Sequence, residues 1–120
     1  MTRRWRWYTT AAGAPVARDE LNALGPVARA AVLEAAGRVK NGTHASYELE
    51  SIGKHLQAVR IFLDGCTYRL LFSRQGAHDH VLLSLHVIHK KGRKLPLAAR
   101  RLAEKRLRDW RARATRWGDP

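Results

Sequence analysis

The sequence predicts an α+β fold: an N-terminal strand, a helical hairpin, an antiparallel β-meander and a C-terminal helix. Three observations carry this. Two runs of β-branched, aromatic and aliphatic residues, Leu56 to Leu63 and Cys66 to Phe72, flank Asp64-Gly65, a dipeptide that tolerates the positive φ angles of a two-residue hairpin turn. A third run, His80 to Ile88, places Val81, Leu83, Leu85 and Val87 on one face by alternation. Two further stretches, Val27 to Lys40 and Pro96 to Arg113, carry apolar residues at the three- and four-residue spacing of helices.

In chain order, Trp5-Arg-Trp-Tyr-Thr9 alternates a basic residue with aromatics and forms the first strand, with Trp5 and Trp7 on one side as core. Gly13-Ala14-Pro15 ends it. A first helix covers Val16 to Leu24, and Gly25-Pro26 separates it from a second, Val27 to about Lys40, which Asn41-Gly42 stops. Thr43 to Lys54 has no clear period: Tyr47 to Ile52 could form a short strand or an irregular connection, and the stretch is assigned as loop.

The hairpin follows. With Asp64-Gly65 as its loop, Leu63 lies opposite Cys66, Ile61 opposite Tyr68, Val59 opposite Leu70 and Arg60 opposite Arg69. Alternation then puts Val59, Ile61, Leu63, Cys66, Tyr68, Leu70 and Phe72 on the core face. Arg60 and Arg69 face each other on the other side, where like charges repel. Either something anionic sits between them, or each is satisfied separately by water or by Glu48, Glu50 or Asp79. The third strand adds Ser84 and His86 to the arginines' face. His89 to Lys94 is a basic loop, and Leu95, Ala99, Leu102, Ala103, Leu107 and Trp110 form the apolar stripe of the last helix.

At 120 residues the chain fits one domain, 1–113, followed by a frayed basic tail, 114–120. Cys66 is the single cysteine, so no disulfide framework exists and a reducing cytoplasm is expected. No apolar run approaches the ~20 residues of a membrane span, and Met1-Thr-Arg-Arg leads into a tryptophan-rich strand, not a signal peptide. The net charge is +13, and Lys90 to Arg116 holds 12 basic residues against 2 acidic ones. Such concentration favours a polyanionic partner, nucleic acid above all. His78, His80, His86 and His89 are split between faces by alternation and lack a second cysteine, which argues against a zinc site.

The order of elements resembles the RelE/ParE toxin superfamily, and more closely its HigB-type, phage-derived branch of type II toxin–antitoxin systems. The resemblance spans about residues 4–111. It rests on Pro15 to Leu24, Val59-Arg60-Ile61, Tyr68-Arg69-Leu70-Leu71-Phe72, the run Leu83 to Pro96 with its Lys90-Lys91 pair, and Ala103-Glu-Lys-Arg106. The chain departs from the family at Ala58-Val59, where glutamate is frequent, at Ile88, where an aromatic is usual, and at Leu95, where a capping Thr or Ser is usual.

The resemblance implies a RelE-like fold and an endoribonuclease that cuts messenger RNA on the ribosome without metal or cofactor, by attack of a 2′-hydroxyl on the adjacent phosphate. It assigns Arg60 and Arg69 to the scissile phosphate, and Lys90 and Lys91 to phosphate binding and leaving-group protonation. His86 is a candidate general base, with a histidine packed at the sheet surface as the other account. Arg93, Lys94, Arg100 and Arg101 are candidates for further RNA contact. The implied partners are the ribosome, messenger RNA and a HigA-like helix-turn-helix antitoxin that sets the oligomeric state. Two alternatives stand beside this: a catalytically impaired RNA- or protein-binding member of the fold, and a ParE-like inhibitor of DNA gyrase. The lysine pair favours RNA cleavage over gyrase.

Overall fold

A computed structural model describes residues 3–116. Its eight main elements are β1 (Arg4–Trp7), α1 (Val16–Asn22), α2 (Pro26–Asn41), β2 (Leu49–Gly53), β3 (Leu56–Leu63), β4 (Cys66–Gln75), β5 (Val81–Lys91) and α3 (Leu97–Arg116). The strands form one mixed sheet in the order β1-β5-β4-β3-β2, in which only β1 is parallel to its neighbour. The class is α+β, consistent with a RelE-like fold.

The β3–β4 hairpin has the register expected from its turn: Leu63 pairs with Cys66, Ile61 with Tyr68, Val59 with Leu70 and Arg60 with Arg69. Asp64 and Gly65 both have positive φ, 51° and 78°, as a two-residue turn matched to strand twist requires. Val59, Ile61, Leu70 and Phe72 pack with Val32, Ala35, Ala36 and Val39 of α2. Small residues on α2 bring that helix close to the sheet. Trp5 joins this core, its indole N–H donating to the Ala36 carbonyl at 2.9 Å.

Four differences from the sequence expectation bear on the site. First, Leu49–Gly53 is strand, not loop. It pairs Leu49 with Val59, Glu50 with Ala58 and Ser51 with Gln57, satisfying the outer edge of β3 that the expected meander left bare.

Second, the sheet's other face is not open along its length. Ala103 and Leu107 of α3 pack on Leu56, Ala58, Leu71, Leu83 and Leu85. This follows from β3 and β4 carrying apolar residues on both faces at the end far from their turn.

Third, β5 contains a bulge. Leu71 pairs with His86 and Phe72 with Ser84, leaving Leu85 as the extra residue. The expected unbroken apolar face is therefore split: Leu83 and Leu85 meet α3, whereas Val87 joins Leu82 on the α2 side.

Fourth, β5 runs on through His89, Lys90 and Lys91, which were expected in a loop. The last helix likewise extends to Arg116, so residues 114–116 of the expected tail are helical, and 117–120 lie outside the described residues.

The edge of β5 is shared. β1 pairs only with Val81 to Ser84, and beyond it α1 takes over, with a Glu20 carboxylate oxygen accepting the Val87 N–H at 3.1 Å. No helix among the described residues is long and apolar enough to cross a membrane.

Candidate functional site

Near the hairpin turn the face under α3 changes character. Two cross-strand rows run over β3, β4 and β5 there: Arg60, Arg69 and Ile88, then Phe62, Thr67 and Lys90. The segment after β5 folds back over the middle of these rows. Thr67 donates its hydroxyl hydrogen to the Gly92 carbonyl at 2.6 Å, and the Arg69 guanidinium donates to the Arg93 carbonyl.

Arg60 and Arg69 are brought together, but around a carboxylate. Arg69 Nε donates to Glu50 Oε1 at 2.8 Å, and Arg60 Nη1 lies 3.3 Å from Glu50 Oε2. The anion between the arginines is thus the chain's own. Strand β2 delivers it, because Glu50 pairs with Ala58, two residues before Arg60.

The two arginines differ in access. Arg69 is 1% exposed, with Nη1 buried and without a hydrogen-bond partner. Arg60 keeps a quarter of its side chain exposed and donates Nε–H to the Tyr47 carbonyl at 3.1 Å. The expected open phosphate cradle is therefore a closed Arg–Glu–Arg cluster with one accessible member.

The lysine pair is divided by strand alternation. Lys90, opposite Thr67, shares the face of Arg60 and Arg69; Lys91, opposite Cys66, lies on the α2 side with Tyr68 and His89. Both are exposed. Two strand spacings separate Phe62 from Lys90, about 10 Å, which a lysine side chain spans in part.

Arg93 is exposed and holds its guanidinium carbon 5.4 Å from the Phe62 ring centre. Lys94 and Arg101 are also exposed, and Arg101 heads a basic stripe along α3 with Lys105 and Arg108. Arg100 is set apart: it lies against Gly53 of β2 and 3.6 Å from Glu104.

His86 does not join the arginines. Its Nδ1 is 2.8 Å from Glu20 of α1, whose carboxylate also meets Arg106 of α3 at 3.0 Å. Arg106 further donates to the Leu85 carbonyl at 2.8 Å. Burial alone would raise the Glu20 pKa, but hydrogen bonds from His86, Arg106 and the Val87 N–H outweigh it and hold the group down at about 2. This is a clamp joining α1, β5 and α3. It fits the account of His86 as a packed histidine.

Farther along α3, the Tyr8 hydroxyl donates to Asp109 at 2.6 Å, and Arg113 binds the same carboxylate and the Thr9 carbonyl. Arg106 and Arg113 thus tie α3 down, leaving the Arg101–Lys105–Arg108 stripe to face solvent.

Tyr47 and Phe62 belong to the site but were not singled out by sequence, and Glu50 was named there only as one of three carboxylates that could satisfy an arginine. Phe62 did give a signal, a large aromatic on the polar face of β3 between Arg60 and the turn. Tyr47 and Glu50 lay in the stretch assigned as loop, where no register could place them. Among the described residues no three His, Cys, Asp or Glu side chains are grouped to hold a metal.

The family model described as Phage derived protein Gp49-like (DUF891) matches residues 19–108, from within α1 to within α3. No curated protein matches the chain.

Proposed function

This chain belongs to the Gp49-like phage-derived protein family, related to RelE and other toxin-type proteins, and we propose that it is a HigB-type toxin that cuts messenger RNA on the ribosome. One observation supports this most: Arg60 and Arg93 attend the exposed Phe62 ring at one end of the sheet, with exposed Lys90 two strands away on the same face, in a chain of net charge +13. A helix-turn-helix antitoxin would be the natural restraint on such an activity.

In this reading the 2′-oxygen attacks the adjacent phosphorus and the bond to the 5′-oxygen breaks, leaving a 2′,3′-cyclic phosphate and a 5′-hydroxyl. Arg60 faces the charge that builds on the phosphate, where a fixed cation lowers the barrier. Lys90 protonates the departing 5′-oxygen. The 2′-hydroxyl proton passes to water in this reading, since Glu50 is held by both arginines and His86 by Glu20. Arg69 is a positioning residue, holding Glu50 and the main chain at Arg93.

A second reading is a binder of RNA or protein without catalysis. It is favoured by Glu50 offsetting the charge of Arg60 while Arg69 is buried. Induced expression separates the two, with messenger RNA ends mapped for the wild type, Lys90→Ala and Lys91→Ala. The toxin reading expects growth arrest with new cuts inside translated codons, relieved by Lys90→Ala and kept by Lys91→Ala. Arrest with intact transcripts and inhibited supercoiling would move the reading to gyrase, and no arrest supports the binder.

A further inference from the structure

Phe62 is 46% exposed and Tyr47 54% exposed, and their rings stack with centres 6.4 Å apart and an interplanar angle of 27°. Scattered apolar residues on a surface are ordinary. This pair is not scattered, because two guanidinium groups attend the same ring: Arg60 at 5.6 Å and Arg93 at 5.4 Å from the Phe62 centre.

Neither core explains the arrangement. Phe62 belongs to neither buried cluster: alternation puts it on the face opposite α2, at the rim of a cleft that Ala31, Glu34 and Arg38 also line, and α3 packs on that face only as far as Leu71 and Ile88. Arg60 is partly engaged by Glu50, while Arg93 forms no ion pair with an acidic group among the described residues. Beside the ring lies a 210 Å³ recess walled by Phe62, Gly65, Cys66, Thr67, Gly92 and Arg93.

We propose that Phe62, backed by Tyr47, is a stacking platform for an unpaired RNA base, which Arg93 covers from the outer side while Arg60 takes the neighbouring phosphate. A planar base can replace the guanidinium on the ring and keep it as its own outer lid, so the cation–π contact becomes a layered one. Sequence-tolerant binding of single strands is built from this combination of aromatic faces and cations along the backbone. The choice of RNA as ligand rests on the function proposed above; the stacking geometry does not.

The test uses the full chain and a short single-stranded RNA carrying 2-aminopurine, with 2′-O-methyl groups to block cleavage. Stacking of 2-aminopurine on an aromatic ring quenches its fluorescence. The wild type should quench it. Phe62→Ala should abolish the quenching and weaken binding about tenfold, Phe62→Trp should retain both, and Arg93→Ala should weaken both.

Because Phe62 is half exposed, these variants should keep the wild-type circular dichroism spectrum. Equal quenching by wild type and Phe62→Ala, or binding by the wild type with no quenching, overturns the proposal. A wild type that quenches the probe yet leaves cellular transcripts intact supports the stacking site and removes the nuclease. One that cuts transcripts while Phe62→Ala quenches normally does the reverse.

Discussion

One face of the sheet is put to two uses. At the end far from the β3–β4 turn, Leu56, Ala58, Leu71, Leu83 and Leu85 are sealed under Ala103 and Leu107 of α3. Near the turn, Phe62 and Lys90 on the same strands stay exposed, and the chain returning after β5 bonds to Thr67 and Arg69 and sets Arg93 over the Phe62 ring. The strand period is the same throughout. What differs is the residue type at the alternating positions, which decides where a helix gains by covering the sheet and where it would bury charge.

Substitutions on the two halves should therefore separate stability from RNA contact. The largest stability effect belongs to the covered half: Leu71→Ala, at a fully buried position, should cost about 3 kcal/mol in urea unfolding. Next comes Arg69→Ala, about 2 kcal/mol, because Glu50 and the Arg93 carbonyl lose their buried donor. An Arg69→Ala variant with unchanged stability would place that arginine among the exposed cations and erase the distinction.

Acid should act on the covered half through the Glu20 clamp. The folded carboxyl titrates at about 2 against an ordinary 4.5, so its contribution is complete above about pH 4.5 and is lost as pH falls from there through about 2. After allowance for solvent screening the loss is at most about 2 kcal/mol. Unfolding free energies of the wild type and Glu20→Gln across that window check it: the variant should lack this part of the slope.

The smallest stability effect belongs to the exposed half. Lys90→Ala should change unfolding by less than about 0.5 kcal/mol, yet lower RNA affinity and reduce the slope of log affinity against log salt by about 1. Titrations at several salt concentrations measure both.

Much of this fold is legible in the sequence because its strongest signals are local. Asp64-Gly65 sets the turn, and the turn sets every pairing from Leu63–Cys66 to Arg60–Arg69. Pro26 and Gly42 mark the ends of α2. Long-range facts were less legible. Strand β2 is short and its register shifts between Ser51 and Gly53, and it exists because β3 offers it an edge. The β5 bulge has no local signature, yet it moves Val87 to the opposite side.

The same gap governs the site. Two arginines facing each other followed from the turn alone, but their charge left two accounts open, an anion between them or separate satisfaction by water or a carboxylate. Which of Glu48, Glu50 and Asp79 supplies the anion depended on the strand that local pattern missed. Glu48 turns instead to Arg38, with Nε to Oε1 at 3.0 Å, and Glu50 alone reaches both arginines. Lys90 and Lys91 are adjacent in sequence and divided in space because β5 continues through both.

The central claim is that the accessible cations by the turn, not the buried arginine, meet RNA. Transcript cleavage by Arg60→Ala, assayed in a translating extract well below the variant's unfolding midpoint, tests it most directly. The account predicts a variant about as stable as the wild type that no longer cuts. Wild-type cleavage by Arg60→Ala would contradict it.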